Sequence, residues 1–178
     1  MSFRSVARVG VMLLLAAPLY PQVRQRDPLN EKEVDQLRET AMEPEKRLKL
    51  MVEFARDRMT TLEQVRTDPK MAKDRGQKIH DLLEDITNLV DEIDDNLENY
   101  NERNADLRKP LKEIVQMDSE FQTKLRDLKT TAEDPKNSEE AADYKFSVQD
   151  ATESVNQSAE SSRKLLEEQN VKFAKKKK

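Results

Sequence analysis

One histidine and no cysteine occur in the 178 residues, so the side-chain chemistry available is that of carboxylates, amines and hydroxyls around a single imidazole. His80 has Glu84 four residues on, close enough on one helix face for a hydrogen bond or an acid–base dyad. Because His80 follows Ile79, it falls on the flank of an apolar stripe, and a solvent-facing helix pair is the expectation. Di-metal centres in helical bundles take two Glu-x-x-His motifs, and one His preceded three residues earlier by Gln77 does not supply them. No metal or other cofactor is expected. The acidic residues Glu84, Asp85, Asp91, Glu92, Asp94, Asp95 and Glu98 offer oxygen ligands, but a calcium loop gathers such ligands at a tight turn with a central glycine, which is missing. Most of the cluster falls opposite Ile79, Ile86 and Ile93 on a helix, which makes it a solvated face. With neither an activated nucleophile nor paired carboxylates in a pocket, the chain is expected to be non-catalytic and to take no small-molecule substrate.

The elements that position these residues follow from composition and periodicity. Hydrophobic residues make up 35% of the chain and charged residues 38%, where globular domains run nearer ~45–50% and ~25%. Two glycines and 4% aromatics leave neither the turns of an all-β fold nor the apolar runs of a parallel sheet, so the class is all-α. Stepping by seven from Ile79 gives Ile86, Ile93, Tyr100, Leu107, Ile114, Phe121 and Leu128, a continuous helix-packing seam. Leu83, Val90, Leu97, Leu111 and Leu125 flank it. A second stripe runs through Val34, Ala41, Leu48, Ala55 and Leu62, and a third through Ala141, Val148 and Val155, diluted by Ser158, Ser162 and Gln169.

The registers reset at Asp68-Pro69 and Asp134-Pro135, where Asp offers its side chain to the local backbone and Pro removes its predecessor from the helical region. The resets predict helices over residues 31–67, 70–133 and 136–174. The expected fold is an elongated antiparallel bundle or coiled coil of three long helices, the middle one kinked at Pro110, with a four-helix bundle as the alternative. Pro44 and Pro110 both read as kinks, because the apolar register passes them without a phase change, with two helix starts at a first-turn position as the alternative. Pro44 and Pro69 are 25 residues apart, as are Pro110 and Pro135, and the pairs are offset by 66, a hint of a tandem hairpin repeat.

Arg4 and Arg8 precede an apolar run over residues 9–17, followed by Pro18, Tyr20 and Pro21, which matches a secretory signal peptide over residues 1–22. The run is too short to span a bilayer, which takes ~20 apolar residues. Cleavage is expected near residues 16–22, leaving residues 23–30 as a flexible linker. No acidic residue precedes Asp27, so losing Arg4 and Arg8 takes the formal charge from −4 to −6. The expected location is periplasmic or secreted. Lys172, Lys175, Lys176, Lys177 and Lys178 form a basic end that complements the helix dipole or tethers the chain electrostatically to an anionic envelope surface. The acidic balance argues against nucleic acid as a partner.

The combination is similar in architecture to periplasmic holdase chaperones and envelope scaffold proteins, without a shared motif. The expected function is protein–protein interaction or self-association through helix faces. The alternative is a chaperone-like or envelope-surface binder.

Overall fold

The computed structural model describes residues 27–174. The expected signal peptide, residues 23–26 of the expected linker, and Lys175, Lys176, Lys177 and Lys178 lie outside the described residues. The described chain is all-helical, with six helices packed on one another: α1 (Glu31–Glu39), α2 (Pro44–Thr67), α3 (Arg75–Glu102), α4 (Arg108–Glu133), α5 (Ser138–Ala141) and α6 (Lys145–Ala174). Single 3-10 segments at Pro69–Asp74 and Pro135–Asn137 follow α2 and α4.

The Asp-Pro resets are helix ends of one design. Asp68 Oδ1 accepts from Lys70 N, and Asp134 Oδ1 accepts from Lys136 N, both at 2.9 Å, so each carboxylate caps the 3-10 turn that its proline opens. The N-terminus of α1 is closed by a capping box, in which Asn30 Oδ1 accepts from Glu33 N at 3.0 Å and Glu33 Oε2 accepts from Asn30 N at 2.9 Å.

The expected kinks are absent. Pro44 is the first residue of α2 and Pro110 the third of α4, positions whose N–H groups have no partner within a helix, so proline costs little there. The helix expected over residues 70–133 is two helices. Asn104 ends α3 in the left-handed conformation, φ 60°. Its N–H bonds the Asn101 carbonyl at 2.9 Å, and the Ala105 N–H bonds the Tyr100 carbonyl at 3.0 Å, which together make a Schellman termination. The seven-residue series runs through this break because Tyr100 and Leu107 are both buried on either side of the loop. Heptad counting registers which residues are buried, not whether the chain reverses between them. The third expected helix is also interrupted, at residues 142–144, between α5 and α6.

Cross-helix bonds fix the directions. Arg58 meets Asp85 and Arg47 meets Asn96, so α2 and α3 are antiparallel. Gln122 meets Asn156 and Ser119 meets Arg163, so α4 and α6 are antiparallel as well. The hairpins then lie side by side in the same sense, with α2 against α4 and α3 against α6. Bonds between them join residues at a nearly constant separation: Arg66 to Thr131 is 65 residues, Ser158 to Asp94 is 64, and His80 to Ser147 is 67. The proline offset of 66 is therefore matched by the register in which the two hairpins stack.

The core runs along all four long helices. All eight seam positions, Ile79, Ile86, Ile93, Tyr100, Leu107, Ile114, Phe121 and Leu128, are buried. Seven of them lie on two helices rather than one, and Leu107 is the residue just before α4. Gly76 admits the α5–α6 turn to the start of α3, since a Cβ there would meet the Glu140 carbonyl at 2.9 Å and the Asp143 side chain.

Spin labels at Gln77, in the first turn of α3, and Lys129, near the end of α4, should report a short distance. One continuous helix would hold these positions ~78 Å apart at 1.5 Å per residue, and a long distance would refute the reversal at Asn104.

Candidate functional site

Three polar clusters cross between helices, and each was built from side chains that periodicity alone treats as interruptions.

Arg58 anchors the first. Its guanidinium donates to Glu33 Oε1 at 3.0 Å, to Glu33 Oε2 at 2.6 Å and to the Pro28 carbonyl at 2.7 Å, while Nε lies 3.7 Å from Asp85 Oδ2. Residues 27–30, expected as linker, are thus bonded to the helices: Pro28 to Arg58, Asn30 as the cap of α1, and Leu29 packed on the core. Burial opposes the Glu33 carboxylate, but the Arg58 hydrogen bond, the Asn30 backbone and the Arg58 charge outweigh it and hold the group below its ordinary range. The Glu33 hydrogen bond in turn holds Arg58 above its own.

The second cluster lies where α3, α4 and α6 meet. Ser158, fully buried, donates to Asp94 Oδ1 at 2.9 Å. Asp118 is fully buried, and neither of its carboxyl oxygens accepts a hydrogen bond. Ser158 also bears on Asp118, but its single proton is committed to Asp94. Burial first, and then the Asp94 charge, push Asp118 up to about 7 against the opposing pull of Arg163 and Ser158. Asp94 rises to about 6, again by burial, with Asp91 and Asp95 adding to the effect and Ser158 resisting it. Ser162 Oγ, one turn along α6, is buried without a partner. It lines a groove of about 360 Å³ together with Asp94, Asp95 and Glu98.

The third cluster involves His80, whose Nδ1 is 2.6 Å from Ser147 Oγ and whose Nε2 is 3.4 Å from Glu84 Oε1. The order hydroxyl, imidazole, carboxylate is that of a serine hydrolase triad. Ser147, however, is only 8% exposed, and its hydroxyl joins α6 to α3. The pair expected to face solvent is half engaged in helix packing.

The seven acidic residues divide. Glu84, Asp91, Glu92, Asp95 and Glu98 are exposed, Asp94 is half-buried and Asp85 is buried. Among the described residues no three His, Cys, Asp or Glu side chains are grouped to hold a metal ion, and no helix is long and apolar enough to cross a membrane. At the far end of α6, Lys172 Nζ stands 5.6 Å and the Arg108 guanidinium 5.1 Å from the centre of the Phe173 ring.

Asp118 was legible as a signal. The flanking column at Leu83, Val90 and Leu97 continues through Asn104, Leu111, Asp118 and Leu125. Its two polar members are the left-handed turn and the buried acid. Arg58 was harder to find, because its partners Glu33 and Asp85 lie 25 and 27 residues away on other helices.

No protein-family model matches the chain, and no curated protein or solved structure matches it.

Arg58→Met should destabilise the fold by about 3–5 kcal/mol, because it takes the guanidinium away from two buried carboxylates, Glu33 and Asp85. Since the folded state holds Glu33 below its ordinary range, its share of stability is present above that range and is lost as pH falls through the folded value. Thermal melts of the wild type and variant should therefore converge as the pH is lowered below ~4, and parallel profiles would refute the assignment.

Proposed function

We propose that this is a non-catalytic, extracytoplasmic helical protein that acts by presenting its surface to a protein partner or to a second copy of itself. In this reading α2, α3, α4 and α6 make one four-helix bundle of two stacked hairpins. The observation that carries it is the use to which the reactive side chains are put. His80 joins α3 to α6 through Ser147, Arg58 joins α1 and α3 to α2, and Ser158 joins α6 to Asp94. Each is spent on holding helices together, and Ser147 at 8% exposure has little surface on which to meet a substrate carbonyl.

The seam from Ile79 to Leu128 is buried within the chain, so association falls to other surface. Met42, Phe146 and Val171 are the large exposed hydrophobics among the described residues, at 91%, 74% and 58%. Met42 precedes α2 and Val171 lies in the last turns of α6, at the end of the molecule where Glu45 pairs with Lys109.

A second reading, an envelope-surface or chaperone-like binder, draws on the same end. Lys172 and Arg108 already flank Phe173 there, and four lysines follow in sequence. Such attraction is screened over ~8 Å at physiological salt.

Two measurements separate these readings. Sedimentation of the purified chain should show concentration-dependent association that Met42→Ser with Val171→Ser weakens, and it should not depend on Lys175, Lys176, Lys177 and Lys178. Binding to anionic vesicles that is lost at high salt and on removal of those lysines would favour the tether instead. Covalent labelling of Ser147 by a fluorophosphonate, abolished by His80→Ala, would overturn the non-catalytic reading.

A further inference from the structure

We propose that Asp118 and Asp94, with Ser158 beside them, form a proton-operated latch across the contact between the α2–α3 and α4–α6 hairpins, closed while the pair holds a proton and loosened when both carboxyls ionise. The placement supplies the argument. Asp94 belongs to one hairpin, and Asp118 and Ser158 to the other, so repulsion between the two acids acts across the contact rather than within either unit.

The cluster is short of donors. Two carboxyl groups bring four acceptor oxygens, and the Ser158 proton serves one of them. Ser162 Oγ has no partner, and the surrounding charges do not remedy the shortage. On α6, Arg163 donates to Ser119 Oγ at 3.3 Å and reaches Asp118 only as a nearby charge. On α2, Arg56 Nε lies 3.4 Å from Glu120, which projects from a different side of α4, and the buried Nε and Nη2 of Arg56 donate a hydrogen bond to neither acid. On α3, Asp91 accepts from Ser154 at 2.7 Å, and with Asp95 it adds negative charge beside Asp94. A proton on Asp118 converts one acceptor into the missing donor and removes one of the two like charges. The groove lined by Asp94 and Ser162 gives that proton a route to and from solvent.

The consequence lies in the apolar surface that the contact covers. Ile93 and Leu97 on α3 and Val155 and Ala159 on α6 are buried beside the acid layer. The bonds from Ser154 to Asp91 and from Gln169 to Asn101 run along the same pair of helices. A weakened centre leaves those bonds, with His80 to Ser147 and Arg66 to Thr131 farther along, to hold the hairpins, and the inner faces beside the acids become accessible as pH rises.

Both acids titrate higher in the folded chain than in the unfolded one, so the folded state binds extra protons and stability falls as pH rises from ~4 through about 7. In the full chain, carbon-13 NMR of the Asp carboxyls should show a pair with midpoints well above the other aspartates. Midpoints near 4 for both residues would overturn the latch without need of any variant. The melting temperature should drop by roughly 10 °C between pH 5 and pH 8. Asp118→Asn, whose amide carries a permanent donor and no charge, should remove most of that drop and slow amide exchange in α6 around Val155 and Ala159 at pH 8. If that variant folds and its pH profile follows the wild type, the latch is wrong. Should it fail to fold, Asp94→Asn should reduce the drop by a smaller amount and move the Asp118 midpoint down, since burial of Asp118 remains but the neighbouring charge is gone; an Asp118 midpoint that does not move would overturn the latch. Calcium or magnesium that restores the wild type at pH 8 would show that the layer takes a cation in place of a proton, and would overturn the proposal.

Discussion

Gln169 of α6 reaches into the loop between α3 and α4 and makes its amide a substitute for water. Its Oε1 accepts from Leu107 N at 3.1 Å, and its Nε2 donates to Asn101 Oδ1 at 2.9 Å and to the Ala105 carbonyl at 3.3 Å. A buried reversal of the chain leaves backbone groups that must be paired, and a glutamine offers both a donor and an acceptor in one planar group. Together with Asn104 in the left-handed conformation, this interaction turns a stretch that would otherwise be one unsupported helix into two that can pack. Long helices draw most of their stability from a packed apolar face, and the reversal gives every long helix two neighbours within the chain.

The stacking of the hairpins depends on polar contacts for a related reason. α6 has the thinnest apolar seam, and its buried positions include Ser147, Ser158, Ser162 and Gln169. Small residues allow the parallel neighbour α3 to approach, and their hydroxyls choose the register. An apolar contact between two regular helices tolerates a slip of a turn or a heptad, whereas Ser158 on Asp94 and Ser147 on His80 do not. These bonds contribute more to uniqueness than to stability.

Two buried acidic sites show how differently a helical interior treats charge. Around Arg58, Glu33 and Asp85 meet a guanidinium whose fork and charge compensate their loss of water. At Asp118 nothing equivalent is aimed at the carboxyl. Glu33 resists protonation and Asp118 invites it, so their proton linkages have opposite signs. A chain with one histidine can thereby respond to pH near neutrality through aspartate, since burial moves a carboxyl into the range where imidazole ordinarily titrates.

Composition and periodicity by themselves determined the helical class, the ends of α2 and α4 at the Asp-Pro pairs, and the residues that form the seam. Those features depend on local backbone chemistry and on which side chains avoid water. The number of long helices was not determined in this way, because Tyr100 and Leu107 keep the seven-residue spacing whether the chain runs straight or turns between them. Asn104 and Asp118 stood out as polar members of an apolar column, yet their meanings differ, one a left-handed turn and the other a buried acid, and spacing cannot distinguish them. The partners of Arg58 were fixed only once α1 and α3 folded against α2, and those of Ser147, Ser158 and Gln169 only once the hairpins stacked. A hydrogen bond between residues more than 60 positions apart is decided by where three-dimensional packing brings them, and no local pattern encodes that distance.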